Sequence, residues 1–490
     1  MNTNRRKITL FSTYKISFLS LLVLTVCFSS KAFASDFKPM KTEELLLSYI
    51  ENDSELKNLI IAAEKTQLSY DSTQIDNGFD ISLSSGNILI STKDGGTKIS
   101  AKPSVTASLP QYQNLNLSAG ADVGSDGVKN TKLSVGVDIL SENAANREIS
   151  LLKAERNLLE SKRKIQNQAI AAESAFYNEL KSLLSSTTSL IQAQLSLYSD
   201  TIDFESVKAK GYNKTSSTYV MAEMKVKSDE HKVESGKRSL VHDYIVFYKK
   251  CGYDISIDAN QDFTKLVPSD IPLVQALNIS DFAQDDYSTV EAAKWNYKIN
   301  SMQRSAKRFV TLSANAGYTF NNTIGGSSTG YDTLDAGLSS KIGGLSLGAG
   351  INIPVAADAG PSFNLSFSVS PNAFRKTSID SKVNNLNEKQ DLLSIESAIT
   401  AYETAVVDTQ QKLEDILWEK NSNQETYKMY AAAEKNMAGW YKQGIISESQ
   451  YLSSKVNAQL YEIKLVINAI DLIVYNNNVK KMFVDRNLEN

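Results

Sequence analysis

AANREISLLKAERNLLESKRKIQNQAIAAESAFYNELKSLLSSTTSLIQAQLSLY, residues 144–198, decides the architecture of the chain. Ile149, Leu152, Leu159, Ile165, Ala169, Ala172, Phe176, Leu180, Leu183 and Leu190 recur in it, mostly three, four or seven residues apart. That spacing puts a narrow apolar seam on one side of a helix. About 55 helical residues reach roughly 80 Å, far more than a globular domain needs. A helix this long, seamed rather than apolar all round, requires partner helices along its length. A second helix is expected over residues 218–248, after a turn at Lys210-Gly211-Tyr212-Asn213. No proline interrupts residues 111–260, so nothing breaks either helix from within. Taken alone, the stretch also suits a coiled-coil spacer; its flanks decide between the readings.

Upstream, the period changes from helical to two. Leu115, Leu117, Ala119, Ala121 and Val123 alternate with Asn116, Ser118, Gly120 and Asp122, and Leu133, Val135, Val137 and Ile139 alternate with Ser134, Gly136 and Asp138. These are strands with one apolar and one polar face. Four are expected between residues 78 and 140, over residues 78–91, 98–108, 114–123 and 131–140. The turns fall at Lys93-Asp94-Gly95-Gly96 and Gly124-Ser125-Asp126-Gly127. A helix is expected before them, over residues 42–72. Residues 1–34 have the pattern of a secretory signal: Arg5, Arg6 and Lys7, an apolar run over residues 16–28, and Ala32-Phe33-Ala34 as cleavage site. Val26 is too large a neighbour for Cys27 to be a lipidation site. Cleavage leaves Cys251, which reads as a small buried residue.

Downstream, a polar linker (residues 251–270) leads into the same order again. A helix is expected over residues 271–307 and strands over 309–370. Leu345, Leu347, Ala349, Ile351 and Ile353 alternate with Ser346, Gly348, Gly350 and Asn352. Two long helices are then expected, about 375–429 and 447–484, within a second helical hairpin spanning residues 375–484. Residues 486–490 form a tail. The chain therefore reads as an internal duplication, residues 35–250 and 271–485. Its two helical turns correspond: Phe204 to Gly211 and Met437 to Gly444 each place an aromatic and a lysine before a glycine.

Composition excludes several functions. Net charge is -3 and no basic stripe carries interleaved aromatics, so no nucleic-acid partner is expected. His231 and His242 with one cysteine make no metal site. Gly325-Gly326 and Gly343-Gly344 sit between strands, not before a helix as a phosphate loop would. No nucleophile elbow has a histidine partner. The expectation is a protein with no cofactor that is not an enzyme. After the signal, nothing reaches 18 consecutive apolar residues. A soluble sandwich and a transmembrane barrel with a wet interior both fit alternating strands. The Ser-, Gly- and Asn-rich polar face, beside very long helices, favours the barrel.

At this point the chain resembles the TolC-like outer-membrane efflux family over nearly all of its mature length. Glu43-Glu44-Leu45-Leu46 through Asp53-Ser54-Glu55-Leu56 is similar to the family's opening helix, with Ser54 where proline is usual. Leu273-Val274-Gln275-Ala276-Leu277 is similar to the matching segment of its second repeat. Ala175-Phe176-Tyr177 resembles its Ala-aromatic-aromatic step, and Phe204 to Gly211 and Trp440 to Leu452 resemble its periplasmic turns. The resemblance implies an α+β membrane protein: a homotrimer, long antiparallel helices forming a periplasmic tunnel, and a shared transmembrane β-barrel in outer-membrane lipid. It implies a periplasmic adaptor and an inner-membrane pump as partners, in a tripartite efflux or type I secretion system. The alternative is a barrel-anchored scaffold or adhesin without conduction. The family has two strands per repeat, against about four here. Either the barrel is larger, or the extra strands extend beyond or beside it, and the extension is the reading adopted at this level. Gly211 and Gly444 are expected at the tunnel tip, with Ile446, Ser447, Glu448, Gln450 and Ser453 lining the entrance. Gln450 and Ser453 occupy positions where the family often has aspartate.

Overall fold

The computed structural model describes residues 40–93, 96–125, 127–307, 310–321, 331–356 and 359–489. The signal reading at residues 1–34, Gly325-Gly326, and Asp94, Gly95 and Asp126 of the two first-block turns lie outside these. The described chain divides into two compact units, residues 40–52 with 183–268, and 53–182 with 269–489. Its helices are α1 (Thr42–Asn52), α2 (Ser54–Asp76), α3 (Glu142–Ala209), α4 (Ser217–Lys250), α5 (Ser288–Ala306), α6 (Pro371–Lys442) and α7 (Glu448–Met482). The single helix expected over residues 42–72 is two. Asp53 ends α1 and caps α2, its carboxylate accepting from the Leu56 N–H at 2.7 Å.

In the first unit, α4 packs along the second half of α3. Leu184 and Leu240 are fully or almost fully buried, and a methyl added at Gly236 would come within 3.3 Å of Leu190. Tyr244 stacks on Phe263 in the linker at 6.1 Å, and Cys251 is buried. The Ser48 hydroxyl of α1 donates to the Cys251 carbonyl.

The second unit contains one antiparallel sheet. Its strands are β1 (Asp80–Ser84), β2 (Leu89–Lys93), β3 (Gly96–Ala101), β4 (Ser104–Leu109), β5 (Leu115–Gly124), β6 (Gly127–Leu140), β7 (Val310–Phe320), β8 (Thr333–Ile342), β9 (Leu345–Pro354) and β10 (Ser362–Val369). The order is β1-β4-β5-β6-β7-β8-β9-β10, with β2 on β3 and β3 on β5. Two of the expected strands are interrupted. Residues 78–91 break at 85–88, where Gly86 takes φ 62, and residues 98–108 break at Lys102-Pro103, since proline has no N–H for the ladder. β1 pairs β4 while β2 pairs β3, so the four segments make one irregular hairpin. Counted as passes across the sheet, the described residues give four before α3 and four before α6.

The helices of this unit make its core. Ile279, Leu472, Tyr475, Val479 and Phe483 are buried together, with Tyr287, Tyr402 and Val406 against them. Ile149, Ile299 and Ala306 form a second cluster with Leu152, Trp295 and Met302. The helix expected over residues 271–307 starts only at Ser288. Before it, the chain is extended with two short 3-10 turns. Asn476 of α7 takes over its backbone: its carboxamide accepts from the Leu277 N–H (2.9 Å) and donates to the Gln275 carbonyl (2.8 Å). The Tyr475 hydroxyl donates to the Leu277 carbonyl at 3.1 Å. The helix expected to end near residue 429 continues to Lys442.

Candidate functional site: an open sheet and two helical turns

Register aligns the faces of the sheet. Ile81, Ala107, Leu117, Val135, Ala316, Ala336, Ile351 and Phe363 are successive partners across all eight passes. One residue along lies the opposite face, with Ser82, Thr106, Ser118, Ser134, Gly317, Asp335, Asn352 and Ser362 in line. There the Ser118 and Ser134 hydroxyls bond at 2.6 Å, as do those of Ser313 and Ser339, and Asn352 donates to Asp335. The apolar face is open: Phe363 is 71 % exposed, Leu365 87 % and Leu133 50 %. A soluble sandwich would cover such a face with a second layer. β1 and β10 end the order, and each has a neighbour on one side only. An edge such as β10, with Phe363, Leu365 and Phe367, is a strong template for further pairing.

The turn between α6 and α7 is hydrogen-bonded at both helix ends. Gly444 takes φ 72, its N–H bonds the Tyr441 carbonyl, and the Ile445 N–H bonds the Trp440 carbonyl, both at 2.9 Å. This is a Schellman stop, which needs a left-handed residue after the helix. Ser447 then caps α7, its hydroxyl accepting from the Gln450 N–H at 3.4 Å while the Gln450 side chain accepts from the Ser447 N–H at 3.1 Å. The structure thus joins Ser447 and Gln450 and turns the Gln450 carboxamide back onto the helix end. Glu448 is exposed in the first turn of α7, where its charge suits the helix dipole. Ile446 and Ser453 are half-buried. The turn between α3 and α4 uses related devices: Gly211 at φ 73, with its N–H on the Lys208 carbonyl, and Ser216 capping α4.

Sequence reasoning missed the aromatic clamps at these turns. Tyr441 and Tyr451 stack at 5.4 Å with an 8° interplanar angle, and Phe204 meets Tyr219 edge-on at 5.1 Å. Each pair joins the two arms of its hairpin, a pairing visible only once helix register is known. An ion network was also missed. Glu291 of α5 accepts from both terminal guanidinium nitrogens of Arg156 and from one of Arg163, beside a cavity of about 470 Å³. Burial alone would raise the Glu291 carboxyl pKa, but the two arginines hold it below its ordinary value. Among the described residues, no three His, Cys, Asp or Glu side chains gather as a metal site. No described helix is long and apolar enough to cross a membrane.

No curated protein matches the chain. Among solved structures, it is similar to the open-state MtrE outer membrane channel of Neisseria gonorrhoeae (14 % identity, 90 % of this chain and 88 % of that one, TM-score 0.47). It is also similar to a membrane protein of Pseudomonas aeruginosa (13 %, 93 % and 97 %, TM-score 0.45) and to the outer membrane protein VceC of Vibrio cholerae (13 %, 90 % and 96 %, TM-score 0.45). Two family models match in succession, the TP096X N-terminal domain over residues 45–271 and the TP096X C-terminal domain over residues 272–486. Together the two models cover residues 45–486.

Proposed function

We propose that the protein is an outer-membrane channel, a passive duct from the periplasm to the exterior. One observation carries this reading: an apolar row crosses every pass of the sheet and stays open, with a hydroxyl- and amide-rich row behind it. Lipid satisfies the first face and water the second. In lipid no strand edge is left unpaired, so β1 and β10 pair with other copies. A chain with one open sheet supplies a share of a barrel, and the family resemblance makes the number of copies three. The long helical hairpins extend into the periplasm as the tunnel, with Gly211 and Gly444 at its tip and residues 446–453 lining the entrance. An adaptor and an inner-membrane pump complete the system, for efflux or type I secretion. Purified protein in planar bilayers is expected to give single-channel steps, and native mass in detergent to give a trimer. Correctly folded oligomers that never conduct would instead support the anchored scaffold, and a monomer in detergent would refute the shared barrel.

A further inference from the structure

We propose that all eight passes of each chain stand in the barrel wall, so that the duct is wide enough for bulky hydrophilic solutes. This rests on the membrane reading above and replaces the extension reading of the extra strands. Its ground is continuity. An extension clear of the membrane would not keep an uncharged apolar face in register with the strands inside it. Here the row does not change character at either flank. β1 contributes Ile81 and Leu83, β4 Val105 and Ala107, and β10 Phe363, Leu365, Phe367 and Val369. No charged residue occurs on that face of β1, β4, β9 or β10. The one charged residue of these four strands, Asp80, lies on the other face. A shallow, mostly apolar groove of about 500 Å³ is lined by Val105 and Ala107 of β4 together with Leu117, Leu133, Ala316 and Leu334 of β5–β8. The flanking passes therefore expose the same chemistry, on the same side, as the central ones. The occupant that fits a row this long, uncharged and unbroken is the acyl layer.

The width follows from the count. Barrel diameter grows roughly linearly with strand number, so three copies of eight passes, about 24, make a wall about twice as wide as four passes per chain would. Porins of 16–18 strands already hold an aqueous channel. The lumen face is rich in Ser, Thr, Asn and Gly and also carries charges of both signs, among them Asp80, Asp122, Lys132, Asp138, Asp335 and Lys341, which suits a large hydrophilic solute more than a small apolar one.

The test uses the full-length protein with Trp295, Trp418 and Trp440 replaced by phenylalanine, reconstituted in vesicles of phosphatidylcholine with brominated or plain acyl chains. Single tryptophans are introduced as Ile81→Trp, Leu365→Trp and, in the central wall, Val135→Trp. Bromine is expected to quench all three to a similar extent, and Ser82→Trp and Asn364→Trp about threefold less, since those face water. If the background does not fold, each tryptophan is added to the natural chain and the increment is read. Quenching at Val135→Trp with none at Ile81→Trp and Leu365→Trp overturns this proposal and leaves the channel reading intact. No quenching at any of the three overturns both. Polyethylene glycols applied from the barrel side are expected to enter up to about one and a half times the radius that a 16–18-stranded porin admits. A cut-off no larger than the porin's overturns the bulky-solute assignment.

Discussion

Asn476 does with one carboxamide what a neighbouring strand does with its backbone. It is 7 % exposed and satisfies an N–H and a carbonyl of the extended segment before α5. Asn476→Ala leaves two backbone groups without that partner, a loss of about 2–3 kcal/mol. The expected signature is a lower unfolding midpoint together with fast hydrogen exchange at the Leu277 amide; continued protection there would refute the role. Glu173 of α3 gives a pH signature. Burial raises its carboxyl above the ordinary 4.5, against the opposing pull of Lys480 and the Asn477 amide on α7. The folded chain therefore binds this proton more tightly than the unfolded one, and the group's contribution to stability falls as pH climbs from 4.5 through the raised value. Glu173→Gln is expected to be the more stable form at pH 7, with the gap closing as pH falls towards 4.5. Denaturant midpoints measured across that range check the sign. Neither residue was legible in advance. An asparagine and a glutamate on long helices look solvated until the register of their neighbours is known, and the segment held by Asn476 reads as helix because its partner lies about two hundred residues away.

At the scale of elements, the strands and long helices were legible and their interruptions were not. Period two over Leu115 to Val123, and seams at three and four over α3, report burial on one side, which a single sequence shows. The break at Asp53 depends on one carboxylate preferring a backbone N–H to water, and the kinked first hairpin on Gly86 and Pro103. Removing the cap with Asp53→Ala should cost about 1 kcal/mol, read as a lower thermal midpoint. The Schellman stop at Gly444 permits a cleaner test. A Cβ there would meet nothing within 4 Å, so Gly444→Ala charges only the left-handed backbone, about 1–2 kcal/mol. Gly211→Ala, equally open at φ 73, should cost the same. A markedly larger loss at either position would mean that the turn packs against something in the assembled protein.

For the whole molecule, the proposed entrance sets the ionic behaviour. Glu448 is the acidic residue of the α7 first turn, and Gln450, where the resembled family often carries aspartate, is neutral and tied to Ser447. The unmodified channel should therefore be blocked poorly by trivalent cations. Gln450→Asp should create a block, because three carboxylates near one axis raise the local field. Single-channel recordings with a trivalent cation test this: tight block of the unmodified channel at about micromolar concentration would refute it, and loss of that block in Glu448→Gln would then assign the ring to Glu448. The sheet carries a further consequence through its parity. Each pass reverses the one before it, so with four passes per block the chain leaves the sheet at the rim where it entered, after β6 for α3 and after β10 for α6. A single added or lost strand would deliver the next helix to the wrong rim, whereas a whole hairpin would leave every helix where it is. The diameter of such a wall can therefore change only in steps of two strands per chain, while the helical machinery below it stays untouched.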